Sequence, residues 1–569
     1  MKRKFLLHAV IFLMLSWCAF GQAGVNPCDE FYEMATTWFI KGYAERLPQL
    51  KPYPLSTIEK ILTDVIECDD KDESERAAAL YERIFGRKFH ASLSGDVRAR
   101  IYSIQDTIGN GVKVFDDYEL YSGLLSLAGD VPFNEYAGAS YLLSFRAQND
   151  VRAISELFPL YAMDNRFDGI KDLTFDAGNA DFLLDLNAVT SFGTERLNGS
   201  VGFNRLGYGI FSRSDMMLNP SANPLANLTF NAVDPHFEYS QVCSLPTAQN
   251  QTLDDDYAWC KGMFFHSFRV PVFNRRLTVS YFESVVFGGG FQPAYLMPVP
   301  WAIITNVSGS TENIIAGLNF LVKPVPFFAW STDLLFDDFK LKDFIKLKWN
   351  DAALRAGVKT GFIYTPQDSV CSLVTFDYTL LSAYTYTTYD TQNSSYNYTD
   401  YTNYGKNMGT ELLPNSQQIE MTMHFNPFSW LVVTSRTRYM HHANPYESLE
   451  DEEVLELSGK TATDGSWKQN TQNLETAVDA MNLLTQKNDM LVLQASLDFD
   501  VRLSARKGSG ALINLGYTFE YIKNDGVDKS LFPGHYETVD EVAAARKEWE
   551  AFLHNSYNHF FKAGVTLQF

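Results

Sequence analysis

The sequence lacks a second long apolar run once its first 23 residues are passed. Beyond Phe20, no stretch of roughly 18 consecutive apolar residues occurs, although a membrane-spanning helix needs about that many. Basic residues are also scarce, with 47 Lys and Arg against 68 Asp and Glu, and the formal net charge is −21. Such a surface repels polyanions, so we expect no transmembrane helix and no nucleic-acid partner.

Cysteine is scarce and shows no metal-binding spacing. The chain has six Cys, and after the N-terminal leader no CxxC and no Cys/His zinc spacing occurs, so we expect no metal site. Outside the cytosol, the pairs close in sequence are Cys28 with Cys68 and Cys243 with Cys260. These pairs are the possible disulfides, and they leave Cys371 without an assignment.

Motifs of common enzyme classes are missing as well. The chain contains no HExxH, no GxSxG, no P-loop and no GxGxxG after a strand. A Ser/His/Asp triad assembled from distant residues stays open, because such triads are defined by geometry. The sequence therefore predicts that the protein is not an enzyme and needs no cofactor.

The N-terminus has the pattern of a secretory signal. Met1 to Lys4 is basic, Phe5 to Phe20 is apolar, and Gly21 to Ala23 offers small residues for cleavage. We therefore predict that residues 1–23 are a signal peptide. Cys18 leaves a lipoprotein signal as an alternative, although the bulky Trp17 precedes it where that signal favours a small residue.

The C-terminus ends on an alternating segment with an aromatic last residue. Lys562, Gly564, Leu567 and Phe569 are spaced as in the barrel-assembly signal of bacterial outer-membrane proteins, which this ending resembles. The resemblance implies the barrel-assembly machinery and outer-membrane lipid as partners. An ordinary amphipathic last strand is the alternative interpretation.

Residues 24–87 are predicted to form a small periplasmic helical region. Ser56 to Glu59 has the pattern of a capping box, and apolar residues then recur at helical spacing up to Ile66. Asp72 to Glu75 is acidic and opens a second helix, which Gly86 can end. This unit precedes all of the predicted strands.

From about residue 88 onward, the hydrophobic period changes to two. Apolar and polar residues alternate most clearly in five segments: 374–380, 419–425, 491–503, 511–521 and 562–569. Several are as long as the roughly 9–11 residues that cross a bilayer as a tilted strand. Polar residues would line an aqueous lumen, namely Glu420, Arg436, Arg438, Asp498, Asp500, Arg502 and Glu520. Residues 88–569 are therefore predicted to form an all-β, antiparallel transmembrane barrel of about 16–18 strands.

The connections between the predicted strands alternate between short and long. Residues 426–430 and 505–510 read as tight turns, whereas 443–488 and 524–556 are long and polar. Short periplasmic turns with long outer loops are typical of outer-membrane barrels. We therefore expect a location in the outer membrane of a diderm bacterium, with surface-exposed loops. The oligomeric state stays open.

Four stretches of the chain resemble one family of outer-membrane proteins. Leu277 to Pro298 joins a strand, a Glu, a glycine break and a Tyr-x-x-Pro corner, and Tyr43 to Leu62 joins a helix to a Pro-Leu-Ser entry. Arg205 to Gly209 and Asp333 to Phe339 add a glycine-rich strand and an acidic strand end. These stretches are similar to the capsule-assembly (Wzi) family, whose pattern has Asn where Met297 stands. The resemblance implies an 18-stranded barrel, a periplasmic helical bundle and a surface lectin that holds polysaccharide.

The candidate glycan-binding or lumen residues come from these stretches and from a tyrosine-dense hairpin. They are Glu283, Tyr295, Asp333, Asp337, Asp338, Tyr396, Tyr398 and Tyr401. Glu283 is expected near a lumen-facing bend, bonded either to the glycine-rich backbone or to a sugar. Asp337 and Asp338 are expected to pair with Lys340 and Lys342 at the rim.

The tyrosines of the hairpin allow two interpretations. Tyrosine combines a flat apolar face with a hydroxyl, which suits sugar stacking or an interfacial belt. We expect a belt for Tyr384 and Tyr386 and an exposed loop for the other tyrosines. The acidic run from Glu447 to Glu456 is read as a solvated face of an outer loop. The alternative is that it binds divalent cations, which bridge it to anionic lipid head groups or glycans.

Three functions are compatible with these patterns. A non-enzymatic barrel that binds or anchors surface polysaccharide follows from the family resemblance and the tyrosine-rich loop. A porin or substrate-specific channel is the alternative, because a charged inner row implies a wet lumen. A surface adhesin that uses the loop 443–488 is the third.

Overall fold

The computed structural model of the chain describes residues 24, 26–86, 90–104, 115–149, 175–176, 181–211, 215–248, 261–288, 293–301, 312–337, 355–367, 369–383, 385–386, 398–404, 406–444, 447, 449–456, 487–504, 510–527 and 536–568. The predicted signal peptide 1–23, with Cys18, lies outside these residues. Within them, each helix is too short or too polar to cross a membrane.

Eighteen antiparallel strands close into a transmembrane barrel. They are β1 (His90–Ile104), β2 (Phe115–Asn134), β3 (Ala137–Gln148), β4 (Asp181–Gly193), β5 (Leu197–Asn204), β6 (Leu225–Asp234), β7 (Phe237–Leu245), β8 (Lys261–Val272), β9 (Leu277–Gly288), β10 (Asn313–Val325), β11 (Phe328–Asp337), β12 (Arg355–Tyr364), β13 (Cys371–Leu381), β14 (Ser416–Phe428), β15 (Leu431–His442), β16 (Met490–Ser504), β17 (Gly510–Asp525) and β18 (His554–Gln568). Strand β1 pairs with β18, which closes the cylinder. The predicted barrel of about 16–18 strands is confirmed.

The alternation of apolar and polar residues decides which side of each strand meets lipid. On β1, Leu93, Val97 and Ile101 are exposed on the outer wall. Between them, Asp96 and Arg98 point inward and form an ion pair of 2.8 Å. The outer row is therefore apolar and the inner row charged, as the period of two predicts.

The two ends of the barrel differ in the length of their connections. At one end, here called the turn end, consecutive strands are joined by two to six residues, as at 135–136, 326–327 and 429–430. At the other end, the loop end, connections run from ten residues (105–114) to 47 residues (443–489). The predicted alternation of tight turns and long loops is present.

Within the described residues, five helices lie outside the wall of strands. They are α1 (Glu30–Lys41), α2 (Leu55–Ile66), α3 (Lys71–Phe85), α4 (Asp451–Glu456) and α5 (Val539–Phe552). A 3₁₀ turn spans Pro293–Leu296, and pairs of two-residue strands join Leu50–Lys51 to Gly207–Tyr208 and Thr402–Asn403 to Lys406–Asn407. A two-residue strand, Phe175–Asp176, pairs with β4.

Side-chain caps fix the starts of three helices. Asp29 accepts a hydrogen bond from the backbone of Phe31 at α1, Asp70 caps α3, and Thr538 accepts from Glu541 at α5. The capping box predicted at Ser56 is wrong, because α2 already begins at Leu55 behind Pro54, which carries no side-chain acceptor. Proline is instead compatible with a helix start because its missing N–H costs nothing there.

The predicted disulfide between Cys28 and Cys68 is not formed. Cys68 is a free thiol whose sulfur lies 3.6 Å from the carbonyl oxygen of Asp70, so the Cys28–Cys68 pair is wrong. Cys28 instead directs its thiol at the Pro220 carbonyl, 3.7 Å away. Cys243 is also a free thiol, and its predicted partner Cys260 lies outside the described residues. Cys371 is free as well. Closeness in sequence did not bring the sulfur atoms of Cys28 and Cys68 together.

The C-terminal strand carries the residues of the predicted assembly signal. Lys562, Gly564 and Leu567 all lie on β18, and Leu567 is exposed on the outer wall. Phe569 lies outside the described residues. Whether the assembly machinery reads this strand stays a prediction.

Candidate functional site

The N-terminal helices fill the turn-end mouth of the barrel. Their core contains the buried side chains of Phe31, Trp38 and Leu62. The same cluster continues onto inward-facing residues of the wall, namely Leu321, Ala329, Ile363 and Leu373. Because this apolar surface is removed from water, the helical unit is held inside the mouth by the hydrophobic effect.

Polar contacts also join the helical unit to the barrel wall. They are Glu30 with Arg502 (3.0 Å), Glu33 with His424 (3.2 Å), Glu45 with Arg275 (2.8 Å) and the Lys323 ammonium with the Phe39 carbonyl (2.6 Å). Exposed ion pairs of this kind contribute little stability individually. Since they are distributed around the rim, they fix the orientation of the unit in the mouth.

A short segment after α1 runs into the lumen. Leu50–Lys51 pairs antiparallel with Gly207–Tyr208, which belongs to the connection between β5 and β6. The backbone N–H of Gln49 donates to the Glu238 carboxylate at 3.1 Å. Arg269 pairs with the same carboxylate at 2.9 Å. The N-terminal segment and a loop from the opposite end therefore meet inside the barrel.

A second loop from the loop end folds inward and binds the first. The hydroxyls of Tyr386 and Tyr401 donate to the carbonyls of Met216 (2.6 Å) and Met217 (2.8 Å). The two tyrosine rings stack with centroids 5.7 Å apart. Tyr386, Tyr398 and Tyr401 are all buried. The predictions of an interfacial belt for Tyr386 and an exposed loop for Tyr398 and Tyr401 are therefore wrong, because these rings serve the lumen packing. Tyr384 and Tyr396 lie outside the described residues.

The predicted acidic residues of β11 face the same lumen. Asp337 is fully buried and accepts a hydrogen bond from the backbone N–H of Tyr386, which has a positive φ of 72°. Asp333 accepts from the Asn319 amide at 2.8 Å. Asp337 thus anchors the inward loop, and the lysines expected to pair with it at the rim, Lys340 and Lys342, lie outside the described residues. Asp338 lies outside the described residues.

Two ionisable side chains are buried where the inward segments meet. Lys51 lies on the N-terminal segment and Asp215 on the β5–β6 loop. Burial raises the pKa of Asp215 to about 8, although Lys51 and Lys359 favour its charged form. Burial also lowers the pKa of Lys51, against the attraction of Asp215. The pKa of the Asp215 carboxyl group is therefore close to neutral pH.

The loop-end mouth is covered by helices α4 and α5. Val542 and Trp549 of α5 are buried in the cluster that contains the inward-facing Val492 and Ile522. Arg546 of α5 reaches back across the mouth and donates to Asp451 (2.8 Å) and to the Leu449 carbonyl (2.8 Å). The two helices are therefore joined to each other as well as to the wall.

The outer surface of this cover is acidic. Glu450, Glu452 and Glu453 are exposed, which confirms the solvated-face interpretation for this part of the loop. Among the described residues, no three or more His, Cys, Asp and Glu side chains are grouped so as to hold a metal ion.

The inner wall carries the charged row that the alternation predicts, and many of its charges are paired. Glu420 binds Arg438 at 2.5 Å, Asp377 binds Lys359 at 3.1 Å, and Asp185 binds Arg205 at 2.7 Å. Glu520 is buried and accepts from the Asn558 amide at 2.8 Å. Half-exposed and exposed members of the row lie toward the turn end, namely Arg436, Asp498, Asp500 and Arg502.

Glu283 lies on the opposite side of the wall from the lumen. Its cross-strand neighbour is His266, and the adjacent Phe265 and Phe282 point inward, onto the ring of Tyr208. Because side chains alternate along a strand, Glu283 and His266 face outward. The expectation of a lumen-facing bend at Glu283 is wrong.

Glu283 is nevertheless fully buried, because the segment Pro293–Trp301 folds over it. Its carboxylate accepts from His266 Nε2 (2.8 Å), from the Tyr281 hydroxyl (2.7 Å) and from the backbone N–H of Trp301. The prediction that Glu283 binds backbone is right in kind, but the donor is Trp301. Tyr295 is buried in the same segment. The candidate residues therefore divide between two faces of the wall and do not form one site.

Sequence reasoning missed the partners of these residues. His266 and Gln241 interrupt the apolar outer rows of β8 and β7, and this break in the alternation was the available signal. Asp215 was missed because nothing in the sequence shows that its loop turns inward. Its carboxylate oxygen would lie only 2.5 Å from a Cβ at Gly209, where φ is 112°, so a glycine is required there.

Comparison with known proteins identifies the barrel type. The chain matches no protein-family model and no curated protein sequence. It is similar in structure to Wzi, an outer membrane protein involved in group 1 capsule assembly in Escherichia coli and a carbohydrate-binding β-barrel. The identity is 11%, 96% of this chain and 99% of that chain are covered, and the TM-score is 0.51. At this identity the similarity establishes the fold alone.

Two further solved structures are similar at lower TM-scores. Pseudomonas aeruginosa OccK9 (OpdG) is 8% identical, with 84% of this chain and 98% of that chain covered and a TM-score of 0.39. The outer membrane protein opdK from Pseudomonas aeruginosa is 9% identical, with 84% and 99% covered and a TM-score of 0.36. The closed barrel and its similarity in fold to Wzi show that this chain is an outer-membrane barrel, and the 18-stranded fold implied by the family resemblance is confirmed.

Proposed function

We propose that this chain is a non-enzymatic outer-membrane barrel that binds surface polysaccharide at its loop end. The observation that carries the proposal is the pairing of Leu50–Lys51 with Gly207–Tyr208 inside the lumen. A segment from the turn end and a loop from the loop end occupy the same space there. An occupied lumen favours binding at the outer surface over diffusion through the barrel. The carbohydrate binding of Wzi, which has the same fold, supports this choice.

The negative charge of the loop end limits the classes of glycan that can bind there. Glu450, Glu452 and Glu453 are exposed on the described part of the cover, and Glu548 and Glu550 of α5 are exposed beside them. These carboxylates repel an anionic polysaccharide at short range and are screened by salt over about 10 Å. We therefore expect neutral glycans to bind directly. Acidic glycans should bind only when divalent cations are present.

The test uses the full mature chain in detergent and immobilised neutral and acidic polysaccharides. We expect retention of the neutral glycan in the presence of a chelator. Replacing Glu452 and Glu453 by Lys should increase retention of the acidic glycan and leave the neutral glycan unchanged. If neither glycan is retained, and if deletion of the gene leaves the surface glycan in place, the proposal fails.

A substrate-specific channel is the second candidate, supported by one observation. Asp498 and Asp500 are half-exposed on the inner wall and Arg502 is exposed, so water reaches this side of the lumen from the turn end. Planar-bilayer recordings separate the two functions. The polysaccharide-binding proposal expects little steady conductance from the intact chain, and a large stable conductance would favour the channel.

A further inference from the structure

A group of outward-facing side chains is buried although the outer wall around it is exposed. Phe264, His266 and Glu283 face outward on β8 and β9 and are almost completely covered. Val270, on the same row of β8, is 46% exposed. A part of the chain outside the wall of strands must therefore cover Phe264, His266 and Glu283.

The cover is the segment Pro293–Trp301, which follows β9 and returns along the outside of the barrel. The indole of Trp301 stacks on the imidazole of His266 with ring centroids 3.8 Å apart. The ring of Tyr295 lies 6.0 Å from that of Phe264. Phe264, Tyr295 and Trp301 belong to one buried apolar cluster on the outer wall. The segment is thus packed against the lipid-facing side of the strands.

The covered residues lie at the level of the apolar band. Gln241 of β7 is paired with His266 on one side and with Phe230 of β6 on the other. Phe230 faces outward and is 42% exposed, as a lipid-facing residue is. Glu283 lies six residues from Leu277 at the turn end, which corresponds to about 15 Å of height for a tilted strand. The apolar band of such barrels is about 25 Å tall, so Glu283 lies within it.

Several polar groups of the segment are hydrogen-bonded, either within the segment or to the wall of strands. The backbone N–H groups of Met297 and Val299 donate to the carbonyls of Ala294 (3.2 Å) and Met297 (2.9 Å). The indole N–H of Trp301 donates to the Met297 carbonyl at 2.9 Å. The Gln241 amide donates to the Tyr295 carbonyl at 2.9 Å. Three further positions are Pro and have no N–H, namely Pro293, Pro298 and Pro300. Irregular backbone at membrane depth needs this kind of internal satisfaction.

We propose that Pro293–Trp301 is an intramembrane loop, which contacts the acyl chains of the outer membrane and shields the Glu283–His266 pair from them. Its outward side chains are apolar, with Leu296 46% and Met297 55% exposed. They continue the lipid-facing surface formed by Val270 and Phe230. A carboxylate facing hydrocarbon directly is unfavourable, and the loop replaces that contact by the backbone N–H of Trp301. The proposal is independent of the polysaccharide-binding function.

The experiment measures the depth of the loop in a bilayer. In the full mature chain with its native cysteines replaced by serine, Met297→Cys is labelled with an NBD fluorophore and reconstituted into phosphatidylcholine vesicles. Val270→Cys provides the lipid-facing control and Glu452→Cys the water-facing control. We expect a nitroxide on the lipid acyl chain to quench the label at position 297 as strongly as at position 270. Iodide in the buffer should quench it far less than at position 452.

Two outcomes would overturn the location of the loop, and a third would overturn its attachment to Glu283, provided that each variant keeps the heat-modifiable migration of a folded barrel. Quenching by iodide at position 297 as strong as at position 452 places the loop in water. Protection from both quenchers, with cross-linking between copies through position 297, means that a second copy of this chain covers the loop. Equal lipid quenching in Glu283→Ala and Glu283→Gln backgrounds would remove the anchoring role of the carboxylate, because only Gln retains an oxygen that accepts from Trp301.

Discussion

The hydroxyl of Tyr386 donates a hydrogen bond of 2.6 Å to the backbone carbonyl of Met216 inside the barrel. The two residues are 170 positions apart and belong to different loops that enter the lumen from the loop end. Both are buried, and the backbone N–H of Tyr386 is held by Asp337. This contact joins the two inward loops, which together fill part of the lumen.

Replacing Tyr386 by Phe should loosen the filled lumen without unfolding the wall. The Phe ring keeps the stacking on Tyr401 but leaves the Met216 carbonyl without this donor, which costs about 1–3 kcal/mol. We expect a lower unfolding temperature and transient conductance in bilayers. Tyr404→Phe is the control, since Tyr404 lies in the same loop and is only half-buried. Equal behaviour of the two variants would contradict the role of the Tyr386 contact.

Replacing two glycines of the inward loops by alanine should affect the stability of the barrel differently. A Cβ at Gly409 would lie 2.6 Å from the Tyr386 ring and 2.9 Å from the Met216 carbonyl oxygen. At Gly207 the nearest atom would be Pro220 Cβ at 3.4 Å, an ordinary contact. We therefore expect Gly409→Ala to cost about 1–3 kcal/mol through overpacking and Gly207→Ala to be tolerated. Thermal unfolding of the purified barrels measures both, and a harmless Gly409→Ala would show that the loops can move apart freely.

The barrel itself could be predicted from the sequence because a strand that crosses a bilayer must alternate over its whole length. The alternating segments 491–503 and 511–521 correspond to β16, Met490–Ser504, and β17, Gly510–Asp525, within a few residues at each end. Helix α5 also starts at a local signal, because the Thr538 side chain accepts a hydrogen bond from the nearby backbone N–H of Glu541. These features depend on neighbouring residues only.

The paths of the loops could not be predicted in the same way. Tyr386 was expected on the wrong surface, because no periodicity restricts the direction in which a loop leaves a strand. Glu283 lies on β9, where alternation groups the residues into two faces but does not say which face is inside. The side of the wall that Glu283 occupies is decided by contacts such as that of Phe265 with Tyr208, which are distant in sequence. The Cys28–Cys68 disulfide expectation failed for a related reason, since each thiol lies against a different backbone carbonyl, that of Pro220 for Cys28 and that of Asp70 for Cys68.

The contribution of Asp215 to the stability of the barrel should fall as the pH rises from about 4 to about 8. Burial raises the pKa of Asp215 to about 8, with Lys51 and Lys359 acting against it, whereas an aspartate in an unfolded chain has a pKa near 3.9. Between these values the folded chain holds one more proton than the unfolded chain. The contribution of Asp215 to stability therefore decreases with rising pH and levels off once Asp215 ionises. The measurement is the unfolding temperature across this range.

Asp215→Asn should remove this contribution and so change the slope of the unfolding temperature against pH, because the amide has the same shape and no ionisation. Glu452→Gln serves as the control, since Glu452 is exposed on the acidic cover and its removal should leave the slope unchanged. If the slope of Asp215→Asn equals that of the unaltered chain, another group controls the effect.

Two glutamates of α3 should differ sharply when each is replaced by Ala. Glu73 is buried and accepts from the Trp38 indole at 2.9 Å and from the Lys41 ammonium at 2.6 Å. Its loss leaves a half-buried cation and an indole N–H without their acceptor, which costs roughly 3 kcal/mol or more. We expect faster proteolysis between residues 30 and 85 and an opening of the turn-end mouth to small solutes.

Glu75→Ala is the matched control for Glu73→Ala on the same helix. Glu75 and its partner Lys71 are both largely exposed and lie 3.9 Å apart, so their ion pair contributes little. Its removal should change stability by no more than about 0.5 kcal/mol. Protease resistance and solute uptake by vesicles containing the full chain distinguish the two variants. If Glu73→Ala kept both the resistance and the seal of the unaltered chain, the helical unit would not be what closes this mouth.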